Sequence, residues 1–305
     1  MQNTERPAVR EFPVGAPGAG PYGITNGPGG ALWVTLVDSA GIARLEADGT
    51  VVLHRAGPEG SRPTVITEGA DGALWFTRYG DHRIGRLTAD GDLTELPGST
   101  PDCGPYGICT GPDGAVRFTE MNTDRIGRVA PDGSVTHIDL PVRGGFPAAI
   151  TTGPDGALWF TLNQGDAIGR LTLDGEVTVH PLPTDDAAPV GIASGPDGNV
   201  WFTEIGAGGI GRITPGGEVT EFPLPDPSAR PHAIAPSRDG RYWFTEWGAN
   251  RIGAIDGDGK VAEYDLPAPD SEPHGITVRG DGTVWAALQS GAVARLATAG
   301  TGQGG

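Results

Sequence analysis

The stretch Asp155-Gly156-Ala157-Leu158-Trp159-Phe160-Thr161, followed by Ile168-Gly169-Arg170-Leu171 and then Asp174-Gly175, decides how the chain folds. Two short apolar runs lie between Asp-Gly pairs, which supply the positive φ that a tight hairpin turn needs. The same pattern recurs in both directions at a spacing of 42 residues, with Trp33, Trp75, Trp159, Trp201, Trp243 and Trp285 on one grid and Arg117 in the third slot. Each aromatic-centred run follows a turn ending in glycine, at Gly30, Gly72, Gly114, Gly156, Gly198, Gly240 and Gly282. The grid therefore counts seven repeats.

A second turn follows at Gly49, Gly91, Gly133, Gly175, Gly217 and Gly259, between the Ile-Gly-Arg type of strand and an outer strand such as 219–224. Each repeat then holds four short strands. No segment sustains apolar residues at helical spacing over ten or more positions. Antiparallel four-stranded units at this period are propeller blades, so the sequence predicts an all-β, seven-bladed β-propeller. The seventh repeat stops after Val293 to Leu296 without an outer strand, while Phe12 falls on the outer-strand grid ahead of the first repeat. The N-terminal strand is thus expected to complete the last blade, closing the ring and removing exposed edges. The expected organisation is an N-terminal extension over 1–9, the propeller over 10–296 and a flexible tail over 297–305.

Gly (52) and Pro (28) make up a quarter of the chain, but the strict period and seven Trp mark a packed core and not disorder. A net charge of −17 opposes binding to phosphate backbones, so no nucleic-acid partner is expected. No apolar run is long enough to span a bilayer and the first residues lack signal-peptide order, so the reading predicts a cytoplasmic protein with no membrane partner, acting as a monomer. Cys103 and Cys109 are too few for a disulfide framework and lack metal-finger spacing, which makes them ordinary thiols.

In a propeller the first strand of every blade lines the axis, so differences among the seven copies locate a site. That strand opens Pro-x-(Gly/Ala/Val)-Ile, where x is Tyr22, Thr64, Tyr106, Ala148, Val190, His232 and His274. The residue before the proline is Gly20, Arg62, Gly104, Phe146, Ala188, Arg230 and Glu272. Only the seventh repeat carries a carboxylate there. Glu272 and His274, two apart on a strand, are expected on one face, with His232 beside them from the neighbouring blade. Tyr22 in the same slot is a candidate substrate-binding wall. His54, His82, His137 and His180 fall on third or outer strands or their connections and read as surface or interblade residues. Glu120, Glu204 and Glu246, near the ends of second strands, read as strand caps or partners of Arg125 and Arg251.

Four motifs carry a resemblance over residues 10 to 296: Gly-Pro-Tyr-Gly-Ile-Thr at 20–25, Ala-Arg-Pro-His-Ala-Ile at 229–234, Trp-Phe-Thr-Glu-Trp-Gly-Ala-Asn-Arg-Ile-Gly at 243–253 and Glu-Pro-His-Gly-Ile-Thr at 272–277. With them the chain resembles the virginiamycin B lyases, seven-bladed enzymes that open cyclic hexadepsipeptide antibiotics by elimination at the threonyl ester. The resemblance implies His274 as general base, Glu272 as a magnesium ligand and His232 as a substrate-binding residue. Imidazole can remove a proton α to a carbonyl when the developing enolate is stabilised by a hard cation or hydrogen-bond donors. One position departs from the pattern. The family's second metal-binding glutamate, fourteen residues beyond the base, corresponds to Leu288, and no acid occurs from Ala286 to Ala292. Two other readings stay open: a non-catalytic binding propeller, and a lactonase or lyase for another cyclic ester.

Overall fold

The computed structural model describes residues 8–297 and consists of seven four-stranded antiparallel sheets, as the period predicts. Most of the expected extension, 1–7, and most of the expected tail, 298–305, lie outside the described residues. Blade one runs Pro21–Asn26, Leu32–Leu36, Gly41–Leu45 and Val51–Arg55, from the axis outward. The order repeats through blade six. Blade seven takes Pro273–Val278, Val284–Leu288 and Ala292–Leu296 from the C-terminal end and Val9–Pro13 from the N-terminal end. Phe12 pairs with Val293 in that closure. Among the described residues the one helical element is a single 3-10 turn, Pro28–Gly30.

The Ile-Gly-Arg signature has a packing cause. A Cβ on Gly169 of the third strand would lie 2.1 Å from the Phe160 ring of the second strand, so only glycine fits beneath that phenylalanine. Blades one and seven carry smaller residues at the phenylalanine position, Val34 and Ala286, and there the third strand has Ala43 and Ala294. Between blades the grid tryptophans form the core, with Trp33, Trp159, Trp201 and Trp243 fully buried. Outer-strand residues cover them: His180 stacks on Trp159 at 5.8 Å, Phe222 on Trp201 at 5.5 Å, and Phe12 lies 5.5 Å from Trp285. An arginine guanidinium lies over the same rings, as with Arg170 over Trp159. In the slot without tryptophan, Arg117 pairs with Asp113 through both terminal guanidinium nitrogens.

Second-strand threonines join neighbouring blades. The hydroxyls of Thr35, Thr77, Thr119, Thr161, Thr203 and Thr245 donate to the carbonyls of Thr64, Tyr106, Ala148, Val190, His232 and His274, all on the next inner strand, at 2.5–2.9 Å. The same oxygens accept from inner-strand amides of their own blades, at Gly23, Val65, Gly107, Ala149, Gly191 and Ala233. These clasps fix the backbone of the residues that meet on the axis. Blade seven has Ala287 in the threonine position and makes no such clasp to blade one.

Candidate active site

Every inner strand begins at its proline, and the residue before it sits in the left-handed region, from Gly20 at φ 69° to Ala188 at φ 47°, with Glu272 at φ 50°. This corrects the expectation that Glu272 and His274 share a strand face. Glu272 precedes the strand, and its left-handed backbone breaks the alternation on which that expectation rests. The pairing also slips within the strand, between Pro273 and Ile276. Such irregularities re-aim a side chain, and His274 lies within this one.

His274 is buried in a cluster of rings. Its imidazole lies 4.4 Å from the Tyr22 ring at 27°, 4.8 Å from His232 at 84° and 6.3 Å from Trp247 at 29°. Its Nε2 is 2.7 Å from Oε1 of Gln289. The Tyr22 hydroxyl is 2.7 Å from that of Tyr106, and His232 Nε2 is 3.4 Å from both. Beyond this group the axis opens into a cavity of about 200 Å³ lined by Ile24, Ile66, Ile108 and their counterparts in the other blades. The structure therefore brings His232, His274 and Tyr22 together as expected.

Burial disfavours charge throughout the cluster. Desolvation, with the nearby His274 adding to it, pushes His232 down to about 3. Burial also lowers His274, partly offset by its hydrogen bond to Gln289. Both imidazoles are therefore neutral near pH 7, the form in which a histidine accepts a proton. Burial raises the hydroxyls of Tyr22 and Tyr106, so they act as hydrogen-bonding walls.

The donors for magnesium do not match the pair that the resemblance implies. Glu272 is exposed, and its carboxylate makes no hydrogen bond or ion pair among the described residues. Leu288 is wholly buried in the apolar cluster of Trp243, Ile252, Leu266 and Ile276, so its position does not open on the site at all. The residue after it does. The Gln289 amide donates to the carbonyl of Glu272 at 3.1 Å, and its side chain reaches His274. No group of three or more His, Cys, Asp or Glu side chains converges among the described residues. A hard cation needs several oxygen ligands, of which protein carboxylates usually anchor one or two. Among the described residues Glu272 is the carboxylate that this site offers a hard cation, beside an amide already engaged by histidine.

The sequence matches the Virginiamycin B lyase family over residues 7–296. The chain belongs to that family. It is 44% identical to a solved streptogramin B lyase, with a TM-score of 0.92 over 95% of this chain and 97% of the other. It is 41% identical to a catalytically inactive histidine-to-alanine variant of virginiamycin B lyase from Staphylococcus aureus, solved with quinupristin, again with a TM-score of 0.92 over 95% of this chain and 99% of that one. A virginiamycin B lyase from Saccharopolyspora erythraea is 57% identical over 47 residues, a stretch that is 15% of this chain and 16% of that relative's length.

Within the virginiamycin B lyase fold of this chain, sequence reasoning missed Trp247 and Gln289. Both follow a second strand, in the position held elsewhere by Val37, Tyr79, Met121, Asn163 and Ile205. The signal was present: Trp247 is the one tryptophan off the 42-residue grid, and only blade seven has glutamine there. The other titratable groups fall where expected or nearby. His54 and His180 pack on Trp33 and Trp159. Cys103 and Cys109 are free, and burial pushes their thiols up to about 11 and about 12. Arg125 pairs with Asp139 and not with Glu120, while Arg251 reaches Glu246 only at 3.9 Å. No helix of the described residues is long and apolar enough to cross a membrane.

Proposed function

We propose that this chain is a carbon–oxygen lyase that linearises streptogramin B depsipeptides by β-elimination at the threonyl ester, with His274 as the general base. The observation that carries the reading is the neutral, buried His274 imidazole, held between aromatic rings and hydrogen-bonded at one nitrogen at the axial end of the propeller. His274 takes the proton on the threonyl α carbon. The electron pair of that C–H bond forms the Cα–Cβ double bond as the Cβ–O bond breaks, and the ester leaves as a carboxylate. No water is consumed, so the opened product keeps the mass of the ring. His232 and Tyr22 shape the pocket against which the ring lies, tied to each other and to Tyr106 through their polar atoms. The mechanism routes no step through magnesium. A cation arriving with substrate would have Glu272 as its carboxylate, and one ligand predicts weak, easily reversed binding.

Mass spectrometry of quinupristin incubated with the protein tests the reaction. An opened product of unchanged mass is expected. A gain of one water would make the protein a hydrolase of cyclic esters, and no conversion would favour a binding propeller. His274→Ala should lower turnover by roughly 10²- to 10⁴-fold, the usual contribution of a general base, with the unfolding temperature preserved; unchanged turnover would remove His274 from that role. Chelator should leave most of the activity of the purified protein intact. Complete loss restored by magnesium would overturn the weak-site assignment.

A further inference from the structure

Gln289 is the residue that the cluster holds closest to the His274 ring, yet neither elimination nor the family resemblance gives it a task. Its Oε1 lies 2.7 Å from His274 Nε2. A carbonyl oxygen only accepts hydrogen bonds, so at this distance the imidazole nitrogen facing it carries the proton. The other nitrogen, Nδ1, then holds the lone pair, and it is buried with no hydrogen-bond partner in the protein. Which ring nitrogen of a histidine is protonated is set by the hydrogen bond that the other one makes. Gln289 is itself fixed from behind, because its backbone amide donates to the carbonyl of Glu272, two residues before the histidine.

We propose that Gln289 is the positioning residue of the general base: it holds the proton of His274 on Nε2 and leaves Nδ1, covered in the free protein, as the nitrogen that accepts the substrate's α proton once binding uncovers it. The inference rests on the reading of His274 as base and adds the orienting partner such a base requires. When Nδ1 takes the proton the ring becomes an imidazolium, and the Nε2–H···Oε1 bond strengthens because its donor is then charged. Glutamine thus stabilises the proton-loaded base without adding a charge of its own. Blade seven supplies both partners, His274 from its inner strand and Gln289 from the turn after its second strand, so their separation depends on one sheet. The equivalent residues Val37, Met121, Ile205 and Trp247 have no comparable acceptor, and the amide at Asn163 donates instead to the carbonyls of Ala188 and Pro189.

The test combines nitrogen-15 spectra of the imidazoles in the free protein with kinetics on quinupristin. The His274 signals are identified by their loss in His274→Ala. In the native protein they should report a protonated Nε2 and an unprotonated Nδ1. Gln289→Met keeps the length of the side chain and removes the acceptor. It should mix the two tautomers and lower kcat by roughly tenfold to a hundredfold, part of the general-base contribution, with KM changed less than threefold and the fold intact by circular dichroism. Gln289→Glu retains an acceptor and should restore the Nε2-protonated spectrum and most of kcat. A proton found on Nδ1 in the native protein, or full kcat in Gln289→Met, overturns the assignment. These outcomes are separate from failure of the base itself: an active His274→Ala would remove the base, whereas the spectra report on Gln289 without any turnover.

Discussion

At six blade junctions a threonine hydroxyl bonds across to the next inner strand, and at the seventh Ala287 brings no hydroxyl to Tyr22. The backbones approach nearly as closely there as elsewhere: a Cβ on Gly275 would lie 2.6 Å from the Tyr22 carbonyl, against 2.3–2.4 Å for Gly23, Gly107 and Gly191 from the carbonyls of Thr64, Ala148 and His232. The difference is therefore one of bonding and not of distance. His274 lies on the clasped side, its carbonyl held by Thr245, while the carbonyl of Tyr22, whose ring stacks on it, has no threonine from the neighbouring blade. One wall of the pocket has its carbonyl tied by a threonine; the facing wall is tied instead through the Tyr22 hydroxyl to Tyr106 and His232, and through Asn26, whose side-chain amide donates to Thr277 and to the carbonyl of Val278. Blade seven is also the blade assembled from both ends of the chain, so the irregular residues of the repeat gather where its covalent continuity ends.

The largest effect on this comparison should come from Thr245→Val, which removes the clasp beneath His274 and strands two buried backbone groups. The cost should be about 1–3 kcal/mol, read as a lower unfolding midpoint in urea, together with slower turnover than an equally destabilising Thr119→Val. Equal turnover in the two variants would show that the clasp serves stability alone. Ala287→Thr tests the opposite junction by installing a seventh clasp between Tyr22 and Gly275. A gain of about 0.5–1.5 kcal/mol is expected from the new hydrogen bonds; a loss of stability would mean that the seventh junction is too tightly packed to accept the threonine, and the contrast with the other six would be one of space.

A third effect depends on pH and concerns the residue after the threonine. Leu288 fills this slot in blade seven, but Glu204 and Glu246 fill it in blades five and six, fully or almost fully buried. Burial first, and then the neighbouring Glu221 and Glu263, push them both up to about 8. Their folded values lie above the ordinary carboxylate value, so the folded protein binds the extra protons. The stability this confers is complete below about pH 4.5 and is lost as pH rises toward 8. Glu204→Gln and Glu246→Gln should flatten that decline and raise the unfolding temperature at pH 8, with little change at pH 5. A decline that persists unchanged in the double variant would place its cause elsewhere.

The ring was legible because its determinants recur. Glycine beneath Phe160, the Asp-Gly turns and the grid tryptophans are each dictated by contacts within a blade or with its neighbour, so they repeat at 42 residues and can be read from one sequence. The axial slot was legible for the same reason, since His232, His274 and Tyr22 stand at equivalent positions and converge when the ring closes. Glu272 was misplaced by strand alternation because its left-handed backbone is set by the turn into Pro273. Leu288 was read as the vacant place of a ligand, whereas its side chain belongs to the interblade core and its neighbour Gln289 meets the histidine.

By itself the sequence determined the number of blades, the closure by Phe12 and the set of residues that reach the axis, because each follows from a period that local sterics enforce. The tertiary structure decided which way those residues point and what they touch. The contact between Gln289 and His274 is made within the folded seventh sheet, while the stacking of Tyr22 from the first blade on the seventh and the burial that keeps both imidazoles neutral arise only when the ring closes. They depend on a one-residue slip in an inner strand and on a positive φ before a proline, which re-aim a side chain without leaving any mark on the spacing of the repeats.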